Sequence, residues 1–71
     1  MKYLIIVEKT VTGHSAYSPD LPGVVAAGEN RSEVEELMHQ AIEFHIEGLK
    51  TEGQEIPEPS AYSTYLDVEA A

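Results

Sequence analysis

The segment NRSEVEELMHQAIEFHIEGLKTEG, running from Asn30 to Gly53, decides the fold. Val34, Leu37, Met38, Ala41, Ile42, Ile46 and Leu49 recur at steps of three and four, the spacing that lines side chains along one stripe of an α-helix. Asn30 is suited to the N-cap, and Glu33, three residues on, completes a capping-box-like pair with Asn in place of Ser or Thr. Gly53 stands where a left-handed C′ residue closes a helix. About 22 residues at 1.5 Å each make a rod of roughly 33 Å. Such a rod draws its stability from packing its apolar face, so the flanking segments must provide an apolar surface beneath it.

Towards the N-terminus, Tyr3-Leu4-Ile5-Ile6-Val7 is bounded by charge and rich in β-branched residues, which predicts a strand within Met1 to Glu8. Its consecutive apolar positions predict an inner strand covered on both faces. Thr10 to Ser15, containing Gly13, reads as a hairpin turn, and Ala16-Tyr17-Ser18 as a short second strand. In Pro19-Asp20-Leu21-Pro22-Gly23, proline fixes φ and the closing glycine admits positive φ, which makes a turn. Val24 to Ala27 forms a third strand, and Gly28-Glu29 leads to the helix cap.

Beyond the helix, Ile56-Pro57-Glu58-Pro59 favours an extended connector without ladder bonds. From Ala61 to Glu69 the chain alternates, with Tyr62, Thr64, Leu66 and Val68 on one side and Ser63, Tyr65, Asp67 and Glu69 on the other, as in a half-buried strand. A helical crossover is long enough to lay this fourth strand parallel to the first. The expected fold is therefore α+β, βββαβ: a sheet of order 3-2-1-4 with one helix on one face. Nothing else in the sequence covers the other face, so association into at least a homodimer is expected.

Composition limits the function. The 71 residues form a single domain whose core is near the lower size limit, with no cysteine to brace it. Thirteen acids against four bases give a net charge of -9, which opposes direct nucleic-acid binding and attachment to an anionic membrane. No apolar run reaches signal-peptide or membrane-span length, so a cytoplasmic location is expected.

No catalytic set stands out. The helix glutamates Glu33, Glu35, Glu36, Glu43, Glu47 and Glu52 scatter over the polar side as a solvated face. Asp20 and Asp67 lack a neighbouring acid at metal-pair spacing. His39 and His45 are six apart where a helical zinc pair needs four, and His14 beside Ser15 has no third partner. Neither a cofactor nor a metal is expected.

Taken together, Tyr17-Ser18-Pro19-Asp20-Leu21-Pro22-Gly23, then Gly28 with the capped start at Asn30 and Glu33, then Gly53 and Ile56-Pro57-Glu58-Pro59, resemble the HicB-like antitoxin family. The family pattern favours Thr at the position of Asn30 and Ala at that of Val34, changes that keep the cap and the stripe. The resemblance implies a degraded ribonuclease-H-like topology and a non-enzymatic domain that neutralises a small basic RNA-cleaving toxin, HicA. Many members of that family carry a C-terminal DNA-binding domain, which this sequence, read to Ala71, is expected to lack. Glu35, Glu43 and Asp20 are the expected contacts to such a partner. The alternative is a residual metal-dependent nuclease on the same framework, which requires converging carboxylates. Strand one supplies only Glu8, at its end, whereas that fold calls for an Asp at the strand's centre.

Overall fold

The computed structural model describes residues 1–70. The helix, α1 (Arg31–Thr51), begins and ends where the capping residues place it. Asn30 Oδ1 accepts from the N–H of Glu33 at 2.9 Å, while Glu33 Oε1 reaches back to the N–H of Glu29 at 2.9 Å. The reciprocal bond thus lands one residue before the cap instead of on the cap itself. At the other end Gly53 takes φ +69°, its N–H donates to Lys50 O, and the N–H of Gln54 donates to Leu49 O. This is a Schellman closure, which satisfies carbonyls that the last turn leaves free.

Three strands lie under the helix: β1 (Ile6–Lys9), β2 (His14–Tyr17) and β3 (Val25–Gly28), antiparallel in the order β1-β2-β3. The first hairpin closes through Thr10 and Gly13, and β2 begins at His14, two residues earlier than the sequence suggests. Gly23 ends the Pro19–Gly23 turn at φ +84°, as a turn-closing glycine should. Register sets the faces. Val7, Ala16 and Ala26 stand abreast toward the helix, whereas Ile6, Tyr17 and Val25 stand abreast on the opposite side.

The core is small. Ala16, Leu21, Val24, Val34 and Met38 are fully buried, with Tyr3, Ile5, Val7, Ala26, Ala41, Ile42 and Ile46 packed around them. The helix rests mainly on β3 and β2 and only lightly on β1. The far face of the sheet is uncovered, leaving Tyr17 and Val25 exposed. Among the described residues no helix is long and apolar enough to cross a membrane.

Three sequence expectations are corrected. Ala61–Glu69 forms no fourth strand among the described residues, so the order 3-2-1-4 and the ribonuclease-H-like topology give way to a three-stranded sheet. The alternation is present, but a strand exists only when its N–H and C=O groups meet a partner edge, and this segment meets none. It follows that β1 is an edge strand instead of an inner one. Leu37, assigned to the buried stripe, is 39% exposed while Met38 beside it is 1% exposed, because the packed arc is narrower than the apolar one.

Candidate functional site

Two surfaces concentrate polar and apolar groups in ways a partner could use. The first is a groove of about 850 Å3 between the open edge of β1 and α1. Its floor is apolar: Tyr3, Ile5, Val7, Ile42, Ile46 and Ile56. Its helical wall is charged, with Arg31, Glu35, His39, Glu43, Glu47 and Lys50 in a row. The one-turn spacing of these residues explains the row, since positions four apart share a helix face. Arg31 Nε meets Glu35 Oε2 at 2.8 Å, and His39 Nε2 lies 4.0 Å from Glu43 Oε2. All four side chains are solvent-exposed, so these pairs add little stability and remain available to another molecule.

The second is the polar anchor of the C-terminal segment. The Tyr3 hydroxyl donates to Pro57 O at 2.6 Å. The Asp20 carboxylate accepts from the Ser60 hydroxyl at 2.9 Å and from the N–H groups of Ser60 and Ala61, each at 3.1 Å. The Ala61 N–H and then the Ser60 hydroxyl hold the Asp20 carboxyl below its ordinary range, because each stabilises the charged form.

The residues expected to touch a partner therefore separate. Glu35 and Glu43 share the groove wall, and Asp20 belongs to the intramolecular anchor. The sequence offered a signal for that role, an Asp at the centre of a tight Pro-Gly turn, but nothing in it identified Ser60 and Ala61 as the donors 40 and 41 residues away. Among the motif residues, Leu21 is fully buried and Tyr17 is half-exposed on the uncovered face. Ser18 is buried, and among the described residues its hydroxyl has no hydrogen-bond partner. His14 Nδ1 lies 3.3 Å from Glu29 O. Among the described residues no group of three or more His, Asp or Glu side chains is placed to hold a metal ion.

A family model described as the HicB-like antitoxin of a bacterial toxin-antitoxin system matches residues 3–70. The chain belongs to the HicB-like antitoxin family. Within it, the chain is similar to an uncharacterised 14.9 kDa protein from the rep-hol intergenic region of Haemophilus phage HP1, with 36% identity over 67 residues. That match takes in 94% of this chain and 50% of the phage protein, so the chain spans about half the length of that relative. It also superposes on a chain of the HicA3 and HicB3 toxin-antitoxin complex with a TM-score of 0.70 and 35% identity, covering 83% of this chain and 70% of the other. The HicB-like assignment agrees with the resemblance carried by the Pro19–Gly23 turn, the Asn30 cap and the Gly53 exit.

Proposed function

We propose that this domain binds and neutralises a small basic RNA-cleaving protein of the HicA type and carries out no catalysis itself. The observation that carries the reading is the likeness, at 35% identity, to a chain of a toxin-antitoxin complex, within a family of antitoxins. Charge supports it. A surface that occupies an RNA-binding protein must resemble RNA electrostatically, and this chain carries -9 with its helix glutamates exposed. Glu35, Glu43 and Glu47 line one wall between Arg31 and Lys50, so a cationic partner meets a helix face on which carboxylates outnumber the bases. The domain acts in the cytoplasm as at least a homodimer, in keeping with its small core and uncovered sheet face.

The test is an RNA-cleavage assay with a purified basic toxin of the HicA type, titrated with this chain. Inhibition at a fixed stoichiometry is expected, with association slowing as salt rises, because steering between exposed charges is screened over about 8 Å at physiological ionic strength. Reversing two charges, Glu35→Lys with Glu43→Lys, should weaken the complex at least about tenfold, equivalent to about 1.4 kcal/mol. Absence of both a complex and inhibition would overturn the reading.

A further inference from the structure

We propose that Ala61–Glu69 adds as a fourth strand to the open β1 edge of a second copy of this chain, so that two copies exchange their C-terminal segments. The proposal deepens the dimer reading given above and rests on it.

Four observations converge on this. The outer edge of β1 has no ladder partner, and its row of N–H and C=O groups is a template for another strand. Beside that edge the groove floor offers Tyr3, Ile5, Val7, Ile42 and Ile46, only partly covered by their own chain. The C-terminal segment has the complementary pattern. Tyr62, Leu66 and Val68, on one side of its alternation, are 85%, 80% and 83% exposed, and the segment forms no ladder of its own. It also leaves the domain from a fixed point, since Asp20 holds Ser60 and Ala61 while Pro57 and Pro59 stiffen the approach. Within its own chain the segment only skirts that edge, since Tyr65 borders a hollow with Ile5, Val7, Lys9, His14 and Arg31 yet stays fully exposed, and the radius of gyration, 14.4 Å, exceeds the about 11 Å of a compact chain of this length.

Charge selects the same place. All four bases of the chain surround this edge: Lys2 precedes β1, Lys9 ends it, and Arg31 and Lys50 stand on the helix wall. The acids there are Glu8, Glu35, Glu43 and Glu47, with Glu55 and Glu58 flanking Ile56 and Pro57, so six acids stand against the four bases and the region carries -2 while the rest of the molecule holds -7. A segment bearing Asp67 and Glu69 meets less repulsion here than elsewhere on a second copy. Exchange by a two-fold axis fills both grooves at once and leaves neither β1 edge open.

The experiment combines sedimentation equilibrium with amide hydrogen exchange on the full chain, alone and with the substitutions Leu66→Asp and Val68→Asp. Both residues lie outside the core, so helix content by circular dichroism is a control for folding. A dimer is expected whose amides in Ala61–Glu69 exchange at least about 100-fold slower than in an unstructured peptide. The double substitution should raise the dimer dissociation constant at least about 100-fold. A dimer with unprotected tail amides would refute the exchange and leave the dimer reading standing. A monomer with an unprotected tail refutes both. A monomer with a protected tail shows pairing within one chain, and protection only on adding the basic toxin assigns the strand to that complex; either overturns the proposal.

Discussion

Leu37 and Met38 are consecutive on α1, yet truncating them should have unequal effects. They are separated by about 100° around the helix axis, and Met38 is 1% exposed against 39% for Leu37. Replacing either by Ala changes helix propensity by little and by similar amounts, so the comparison isolates packing. Met38 sits among Val34, Ala16, Leu21 and Val24 in the buried core, where loss of its thioether leaves a cavity. Met38→Ala should therefore cost about 2–5 kcal/mol. Leu37→Ala removes a side chain already partly in water and leaves no enclosed void, so about 1 kcal/mol is expected. The first loss is a large part of a total near 4–11 kcal/mol, the range that about 0.05–0.15 kcal/mol per residue gives for this length. At about 4–8 °C per kcal/mol, Met38→Ala lowers Tm by at least about 8 °C and Leu37→Ala by about 4–8 °C. Urea titrations followed at 222 nm, at one fixed protein concentration because association adds apparent stability, measure both. Equal losses, or a larger one at Leu37, would refute this placement of the packed seam.

Removing either helix terminus signal should be measurable in the same titrations: Asn30→Ala by about 1 kcal/mol through its lost cap, and Gly53→Ala by about 1 kcal/mol through a left-handed backbone that Cβ disfavours. Ser18→Ala should be neutral or stabilising by up to about 1 kcal/mol, since it deletes a buried hydroxyl without a partner; a marked fall in Tm would show that the hydroxyl is bonded. The Asp20 anchor should respond to acid. Because its folded-state pKa is depressed, the anchor is fully formed above the ordinary aspartate value of about 3.9 and is lost as pH falls through the lower folded value. The amide resonances of Ser60 and Ala61 should hold steady from pH 7 to about 4 and move only below it, and Asp20→Asn should abolish that transition; movement near neutral pH would contradict it.

The helix was legible almost to the residue because its boundaries are local chemistry. Asn30, Glu33 and Gly53 act within one turn of their own positions, and the sequence displays all three. The Pro19–Gly23 turn was legible for the same reason. Strand existence was readable and strand extent less so: β2 begins at His14 because the ladder with Lys9 and Gly28 reaches that far, a non-local pairing that alternation does not encode. The fourth strand failed at the same point, more severely. Tyr62 to Val68 carries the pattern of a strand, but pattern describes the faces of a segment and not the edge it meets. Leu37 failed by a lesser margin, since steps of three and four admit an arc wider than a sheet this narrow can cover. At the candidate site, the shared face of Glu35 and Glu43 followed from helical spacing, whereas the attachment of Asp20 to Ser60 did not. That contact depends on how the connector folds back across the domain.

The placement of the core has a consequence for how the chain is made. Among the described residues, every fully buried hydrophobic one lies between Ala16 and Met38, and the partly buried ones packed around them end at Ile46. Each element also packs on neighbours in sequence, a meander followed by the helix that covers it, so loop closure is cheap and folding is fast. The packed unit is thus made without any residue beyond the helix cap at Gly53, and the alternating segment from Ala61 adds nothing to the core. The protomer can fold before that segment meets any partner, which separates the order of folding from the order of assembly.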